Sequence, residues 1–248
     1  MPISRKKILK NLKNRVTLHV YDSIDSTNNE ARRRAGLDEG FHLYVAAEQT
    51  AGRGRQGHSF YSPGGTGLYM TLALPFRDSF EDISFLTCAA GVAVCETVEQ
   101  LSGIKPRIKW VNDIFVSGKK VAGILAELIC ADENSASAVI VGIGVNLRTE
   151  VFPADIADIA GSIGDIEAER LCAGIVDRLI GYYEDLNDIS VLEKYKALNL
   201  CIGRDVSFAF KGKKITARAV DIDSGGGLVV DINGELVTLN SGEISVSI

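Results

Sequence analysis

The hydrophobic and polar positions of the first 200 residues follow two different periods. Mostly apolar runs at residues 16–21, 43–47 and 68–74 have the length of β-strands. Apolar residues at helical spacing recur at 80–101 and 165–198. One face of the last segment carries Ile175, Leu179, Tyr182 and Tyr183. This part of the chain therefore predicts strands and helices that pack around a common core.

Two further segments predict the middle of a sheet. Residues 107–116 and 120–128 have the pattern of the two arms of a hairpin, with Ser117 and Gly118 at the turn. Residues 138–147 are almost continuously apolar, which is typical of a strand buried on both faces. We therefore expect residues 138–147 to form a central strand.

Polar residues after the first strand predict the start of a helix. Thr27 and Glu30 are three positions apart, the spacing of a capping box, in which each side chain accepts a hydrogen bond from the other residue's backbone N–H. We therefore expect Ser26 to Asn28 to lie at the amino terminus of this helix.

The sequence pattern changes at Gly203. Short apolar segments follow, separated by glycine, asparagine and aspartate turn residues, which predicts a small all-β module of about 45 residues. We expect a main domain at residues 1–200, with a basic tail at 1–15, and a second domain at 201–248.

Composition limits the class of protein. The chain has 248 residues, of which 46% are hydrophobic and 24% charged, as in ordinary globular proteins and unlike disordered or collagen-like chains. No apolar run reaches the roughly 20 residues that a membrane-spanning helix needs. The amino terminus also lacks the apolar region of a secretory signal. We expect a cytoplasmic protein without a membrane partner.

The cysteines and histidines argue against metal hydrolysis and against a histidine-driven nucleophile. The five cysteines are scattered without a C-x-x-C pair, which is typical of reduced, mostly buried thiols. The three histidines, at positions 19, 42 and 58, are not at metal-ligand spacing from one another.

The positive charge is concentrated at the amino terminus. The net charge is −5, but the first 15 residues hold six lysines or arginines and no acid. This segment is too short for the core of a helix-turn-helix, and the acidic remainder does not favour nucleic-acid binding. We expect a frayed, solvated helix with Ile8, Leu9 and Leu12 resting on the body.

The most conspicuous motif lies in the glycine-rich loop, residues 49–67, whose length favours a functional role. Residues 52–57 match the pattern G-x-G-x-x-G, and Asp78 follows about 20 residues later, as in dinucleotide-binding proteins. The segment after Gly57 cannot form the helix that such a site needs. Arg53 and Arg55 either offer planar, charged donors to a phosphate or carboxylate, or face solvent.

Charged and amide side chains collect around the predicted hairpin. Asn112 and Asp113 lie on its first arm, and Lys119 and Lys120 on the return arm. Alternation sends the two lysines to opposite faces, so that only one can point into a site. Asp113 either holds Mg²⁺ or caps the turn, and Trp110 is expected in the core.

Five segments in this order resemble the signatures of biotin protein ligases. They are residues 26–28 (STN), 48–57 (EQTAGRGRQG), 109–113 (KWVND), 120–127 (KVAGILAE) and 142–147 (GIGVNL). The resemblance implies an α+β fold: a catalytic domain like that of class II aminoacyl-tRNA synthetases, with a mixed sheet flanked by helices, followed by a small SH3-like β-barrel.

The resemblance also implies a two-step reaction. Biotin and ATP give biotinoyl-5'-AMP and pyrophosphate, and a lysine of a biotin carboxyl carrier protein then takes the biotinoyl group and releases AMP. ATP and biotin are the implied substrates, and Mg²⁺ accompanies the phosphates. Members of the family form dimers at strand edges, which leaves a homodimer open.

The resemblance assigns roles to individual residues. The catalytic residues it implies are Lys120, Arg55 and Arg53. The biotin-binding positions are Ser26, Thr27, Asn28, Gln49, Arg53, Gly54, Arg55, Lys120 and Gly123. The ATP-binding positions are Gly52, Arg53, Arg55, Gly57, Lys109, Asn112, Asp113 and Asn146. Asp113 is the candidate metal ligand, and Lys120 rather than Lys119 faces the site.

The chain departs from the family pattern in three places. Val111 stands where the family usually has proline, and Phe152 is the candidate to stack on adenine because Trp110 is the only tryptophan. The segment before the first strand is too short for the winged helix-turn-helix of repressor members, so we expect a ligase without repressor activity or DNA binding. The alternatives are a lipoate or octanoate ligase or transferase of the same fold, and a biotin-responsive DNA-binding regulator.

Overall fold

The architecture is taken from a computed structural model of the chain. It describes residues 3–34, 40–76, 83–132, 135–185, 189–210, 212–240, 242 and 244–246. Asp78, which would complete a dinucleotide motif, and Phe80, where a helix was expected to begin, lie outside these residues.

Within the described residues the chain forms five α-helices, twelve strands and a short 3₁₀ helix at Arg55–Gly57. The helices are α1 Arg5–Asn11, α2 Thr27–Arg34, α3 Ile83–Ser102, α4 Ala168–Glu184 and α5 Ser190–Leu198. Strands of the first sheet are β1 Thr17–Tyr21, β2 His42–Ala46, β3 Gly67–Pro75, β4 Arg107–Lys109, β5 Asp113–Val116, β6 Lys119–Asp132 and β7 Ser135–Asn146. Strands of the second sheet are β8 Asp205–Phe210, β9 Lys213–Ile222, β10 Leu228–Ile232, β11 Glu235–Leu239 and β12 Ile244–Val246.

The first sheet is mixed and has the strand order β1-β2-β3-β7-β6-β5-β4. The β1–β2 pair is parallel, and the remaining pairs are antiparallel. The predicted central strand is confirmed, because β7 lies between β3 and β6 and its apolar residues are buried.

The expected single strand at residues 107–116 is wrong, because the chain turns at residues 110–112 and forms two short antiparallel strands, β4 and β5. Burial of Trp110 explains the turn. Its backbone N–H donates to Cys201 Sγ at 3.4 Å, and its indole N–H donates to the Gly226 carbonyl at 2.9 Å. The Tyr195 hydroxyl donates to the carbonyl of the next residue, Val111, at 2.8 Å. Partners outside the hairpin therefore determine this local geometry.

Helices α3 and α4 pack on one face of the mixed sheet and against each other. The predicted helical segment at 165–198 is divided into α4 and α5, and residues 186–188 lie outside the described part. Ile175, Leu179 and Tyr183 are buried as expected. Tyr182 is only partly buried, and its hydroxyl donates to the Glu96 carboxylate at 2.7 Å.

The second sheet is antiparallel, with the strand order β11-β10-β9-β8-β12, which confirms the expected short strands after Gly203. Its buried residues, such as Val206 and Leu228, belong to the same hydrophobic cluster as Leu86 of α3. The two sheets therefore share one core. Among the described residues, no helix is long and apolar enough to cross a membrane.

The basic tail is docked on the body through α1, which packs against α4. Ser4 caps the helix, and Lys7 Nζ pairs with Glu167 Oε1 at 2.8 Å. Ile8 is fully buried and Leu12 partly so, whereas Leu9 is 47% exposed. The expectation that Leu9 rests on the body is wrong, because positions 8 and 12 share one helix face and position 9 is rotated away by about 100°.

The docking of α1 leads to a stability prediction. Ile8→Ala is expected to lower the free energy of unfolding by about 2 to 4 kcal/mol, because it leaves a cavity against α4. Leu9→Ala is the matched control and should change it by less than about 0.5 kcal/mol. Urea denaturation measures both, and equal effects would mean that α1 is not docked.

Candidate active site

A cavity of about 630 Å³ lies on the face of the mixed sheet opposite α3. Alternation along β6 and β7 turns Gly123, Leu125, Gly142 and Gly144 toward this cavity and Ile124 toward α3. The walls come from the start of α2, the glycine-rich loop, the β5–β6 hairpin, residues 156–159 and β12. Five segments that are distant in sequence therefore enclose one space above two strands.

Glycines of β7 allow two side chains to lie directly on the sheet. A Cβ atom at Gly142 would overlap the Asn28 amide oxygen, and a Cβ atom at Gly144 would lie 2.5 Å from Phe60 Cε1. Real side chains do not approach so closely, so glycine is required at both positions. The sequence motif at 142–147 does not by itself reveal this packing, and no pattern in the sequence indicates Phe60.

A network of uncharged polar side chains lies on the α2 wall. The Thr27 backbone N–H and hydroxyl donate to Gln49 Oε1 at 2.8 and 3.1 Å, and Gln49 Nε2 donates to Ser62 Oγ at 2.9 Å. The hydroxyl of buried Thr71 lies 2.8 Å from Thr27 Oγ1 and 2.6 Å from Asn28 Oδ1. These contacts orient groups that can both donate and accept hydrogen bonds at this end of the cavity.

The expected capping box is wrong. Thr27 is the first residue of α2, and its backbone N–H is taken by Gln49 rather than by Glu30. The Glu30 carboxylate instead accepts from the Tyr21 hydroxyl at 3.0 Å and from Arg34 at 2.6 Å. Local spacing could not reveal this, because Gln49 is 22 residues away along the chain.

The two arginines of the glycine-rich loop reach opposite walls. Arg53 donates to Asn29 Oδ1 at 3.2 Å and pairs with Glu127 Oε1 at 3.2 Å. Arg55 donates to Asn112 Oδ1 at 3.4 Å on the hairpin side. The alternative in which both arginines simply face solvent is therefore excluded.

Lys120 faces the cavity and Lys119 does not. Lys120 Nζ forms an ion pair with Asp113 Oδ1 at 2.6 Å, whereas Lys119 Nζ donates to the backbone carbonyl of Asp158. Lys109 also lines the cavity, with its Nζ 5.8 Å from the centre of the Phe115 ring. This end of the cavity is therefore cationic.

Most residues expected at the site line the cavity. They are Ser26, Thr27, Asn28, Gln49, Arg53, Gly54, Arg55, Lys109, Asn112, Asp113, Lys120 and Gly123. Gly52, Gly57 and Asn146 are not among the lining residues. A Cβ atom at Gly52 would lie 2.6 Å from Ser62 Oγ, and Gly57 has a φ of +81°. Asn146 donates to the Gly161 carbonyl at 3.1 Å. These three contribute to local structure.

Other lining residues had no signal in the sequence. Ile244, Ser245 and Val246 of β12, and Gly242 just before that strand, lie more than 100 residues after the β5–β6 hairpin. Phe152, the candidate for adenine stacking, is not among the lining residues, and its ring lies 6.4 Å from that of Tyr61.

Burial keeps the thiols of Cys201 and Cys95 protonated. It raises the pKa of Cys201 to about 11 and that of Cys95 to about 12. Four of the five cysteines are buried and Cys130 is exposed, which confirms the expectation of mostly buried, unpaired thiols. A buried thiol with a raised pKa is a poor nucleophile at neutral pH.

An acidic residue beside Ser26 stays ionised. The Arg33 guanidinium holds the pKa of Asp25 well below its usual range, helped by hydrogen bonds from Asn29 and from the Ser26 backbone and opposed by burial. The resulting ion pair, with Arg33 NH2 2.8 Å from Asp25 Oδ1, ties α2 to the segment before it.

The cavity offers few side chains that could bind a metal ion. In the part of the chain that the structure describes, no three histidine, cysteine, aspartate or glutamate residues cluster as metal ligands. The Asp113 carboxylate, the candidate ligand, already faces Lys120. These residues do not form a closed metal site, and they fit an ion that arrives bound mostly to another molecule.

Taken as a site, the cavity joins a neutral hydrogen-bonding end to a cationic end, as suits a ligase that activates a carboxylic acid on a nucleotide. Residues 20–146 match the biotin/lipoate A/B protein ligase family, and residues 201–247 match the biotin protein ligase C terminal domain. This chain belongs to the biotin/lipoate A/B protein ligase family, which confirms the resemblance carried by its motifs.

Individual relatives agree with this assignment. The biotin--[acetyl-CoA-carboxylase] ligase of Mycobacterium tuberculosis is 30% identical over 92% of this chain and 88% of its own length. The bifunctional ligase/repressor BirA of Bacillus subtilis is 32% identical, over 91% of this chain and 73% of its own length. A biotin protein ligase from Aquifex aeolicus, solved in complex with biotin and ATP, matches with a TM-score of 0.79 at 28% identity, over 93% of this chain and 98% of that chain.

The close approach of Asn28 to β7 generates a prediction. Gly142→Ala is expected to displace Asn28 and to lower the free energy of unfolding by about 1 to 3 kcal/mol through overpacking. Gly123→Ala, on the neighbouring strand, should cost less, because the nearest atoms would lie 3.3 to 3.5 Å from the added Cβ, whereas a Cβ at Gly142 would overlap the Asn28 amide oxygen. Urea denaturation compares the two variants, and an equal or smaller loss in Gly142→Ala would contradict the packing described here.

Proposed function

We propose that this chain is an ATP-dependent biotin protein ligase that forms biotinoyl-5'-AMP and transfers biotin to a lysine of a carrier protein. The observation that carries the proposal is one cavity with two unlike ends. Thr27, Asn28 and Gln49 supply neutral donors and acceptors at one end, and Lys120 and Arg55 supply positive charge at the other. Such a cavity suits a ligand with a cyclic urea at one end and a carboxylate at the other.

The first step needs no protein nucleophile. A biotin carboxylate oxygen attacks the α-phosphorus of ATP, the bond to the bridging oxygen breaks, and pyrophosphate leaves. The chain must bring two anions together and stabilise the charge that grows on phosphorus. Lys120, Arg53 and Arg55 are the proposed catalytic residues because their positive charges line the cavity in which the two anions would meet.

The second step moves the acyl group. The uncharged amine of an acceptor lysine attacks the biotinoyl carbon, an amide bond forms, AMP leaves, and the amine loses a proton. Until the acceptor arrives, the mixed anhydride must be kept from water. The glycine-rich loop, which carries Arg53, Gly54 and Arg55, is the segment proposed to cover it.

The nucleotide is proposed to occupy the hairpin side. Lys109, Asn112 and Asp113 line the cavity there, whereas Gly52, Gly57 and Asn146 would support the site from outside the cavity. Mg²⁺ is proposed to enter with ATP as part of the substrate, held mainly by phosphates and water. The Asp113 carboxylate is the group that could reach it, once Lys120 has turned to the substrate.

We propose a fold class for each of the two domains. A catalytic unit at residues 1–200 would have the fold of class II aminoacyl-tRNA synthetases, and residues 201–248 would form an SH3-like barrel. The mixed sheet with helices on one face and the separate five-stranded sheet support this description.

The proposed acceptor is the biotin carboxyl carrier protein of a carboxylase, a choice supported by the name of the Mycobacterium tuberculosis relative, biotin--[acetyl-CoA-carboxylase] ligase. A homodimer, a cytoplasmic location and the lack of DNA binding remain predictions from the sequence. A gel-shift assay with biotin and ATP tests the last of these.

The choice of acid is the first test of the function. Purified protein with MgATP is expected to release pyrophosphate with biotin and not with lipoate or octanoate. Biotin-dependent labelling of a biotin carboxyl carrier domain should follow, and a carrier with its target lysine changed to arginine is the control. Release with lipoate or octanoate and none with biotin would agree with the family assignment and would refute biotin as the substrate.

Lys120 is expected to act mainly in the transition state. Lys120→Gln should lower kcat for pyrophosphate release by about a hundredfold, with a smaller change in the Kd for biotin, because its charge matters most when charge develops on phosphorus. Lys119→Gln is the matched control, since that amine binds the Asp158 carbonyl instead. Steady-state kinetics and calorimetry measure the two effects, and normal adenylation in Lys120→Gln would refute this role.

A further inference from the structure

Glu127 of β6 joins three parts of the site. Its Oε2 accepts from Asn28 Nδ2 at 3.0 Å, and its Oε1 accepts from Arg32 at 2.8 Å and pairs with Arg53 at 3.2 Å. The Glu127 side chain is 17% exposed. One partly buried carboxylate therefore contacts the helix wall twice and the glycine-rich loop once.

Alternation places Glu127 on the cavity face of the sheet. It follows Gly123 and Leu125 at two-residue intervals along β6 and pairs with Ile140 of β7. Its carboxylate can therefore reach the edge of the cavity floor, where Asn28 lies over Gly142.

Arg53 crosses from the loop to this wall. Within the loop it forms an isolated bridge with Ser59, while its guanidinium contacts Glu127 and Asn29. Arg55, two residues later, reaches Asn112 on the other side. The contact of Arg53 with Glu127 is an ion pair, whereas Arg55 contacts the uncharged Asn112 amide.

We propose that Glu127 is a positioning residue for biotin activation: it holds Arg53, and with it the loop, against the α2 wall, and it fixes the orientation of the Asn28 amide. This inference rests on the proposed function. A carboxylate that accepts from Asn28 Nδ2 leaves Asn28 Oδ1 to the Thr71 hydroxyl, so both ends of the amide are oriented. Glu127 acts through Arg53 and Asn28 and needs no contact with the reacting atoms.

The test is Glu127→Gln, assayed by pyrophosphate release with biotin and MgATP. Losing the charge–charge contact should raise the KM for biotin by about tenfold and speed dissociation of biotinoyl-5'-AMP by a similar factor. At saturating biotin, kcat should stay within about threefold of wild type, because Lys120 and Arg55 keep their contacts with Asp113 and Asn112.

Arg34→Gln is the matched control. Arg34 lies on the same helix and pairs with Glu30 at 2.6 Å, so its loss removes an ion pair of α2 that does not involve the site. Its KM for biotin and its rate of adenylate dissociation should equal those of wild type. If Arg34→Gln raises both as Glu127→Gln does, a general loosening of α2 explains the effect and the inference is overturned.

Arg53→Gln and the double variant Glu127→Gln/Arg53→Gln test whether Glu127 acts through Arg53. If Glu127 acts largely through Arg53, the rise in KM in the double variant should be well below the product of the two single effects. Multiplicative effects, or a wild-type KM in Glu127→Gln, would overturn the inference. If Glu127→Gln fails to fold, Arg53→Gln removes the same ion pair from the loop side. A wild-type rate of adenylate dissociation in Arg53→Gln would also overturn the inference. A wild-type enzyme that releases no pyrophosphate with biotin refutes the proposed function instead.

Discussion

The close approach of two side chains to the backbone of β7 is the constraint on which the site depends. Asn28 and Phe60 lie where Cβ atoms of Gly142 and Gly144 would otherwise stand. Because these two positions of β7 carry no side chain, helix and loop residues can contact the backbone of the sheet directly. The polar wall of α2, the loop and the cavity between them all take their positions from this contact.

Each of three cations at the site already contacts a protein side chain, and an anionic ligand must replace that contact with its own. Lys120 faces Asp113, Arg53 faces Glu127, and the Arg55 guanidinium contacts the Asn112 amide. A carboxylate or phosphate gains only the difference between its own contacts and these, since the protein partners already satisfy part of each cation. This arrangement lowers the free energy that an anionic ligand gains on binding.

The sequence predicts the parts of the fold that depend on local patterns. The apolar run at 138–147 identifies the central strand, and the turn residues after Gly203 identify the second sheet. It could not predict partners that are distant in the chain. Gln49 replaces the expected cap on Thr27, and the buried Trp110 turns the chain where alternation alone predicted one strand. The motif order identified most residues of the cavity, but the partners of Arg53 appear only when α2 and β6 are brought together.

The second sheet is part of the site rather than an appendage. The carbonyl of Gly226, between β9 and β10, accepts from the Trp110 indole at the turn that precedes Asn112 and Asp113. The residues of β12 line the same cavity on which that turn borders. Any shift of the second sheet would therefore move both a wall of the cavity and the turn that carries its amide and carboxylate. Because the two sheets also share one hydrophobic core, the geometry at the cationic end depends on packing far from the reacting atoms.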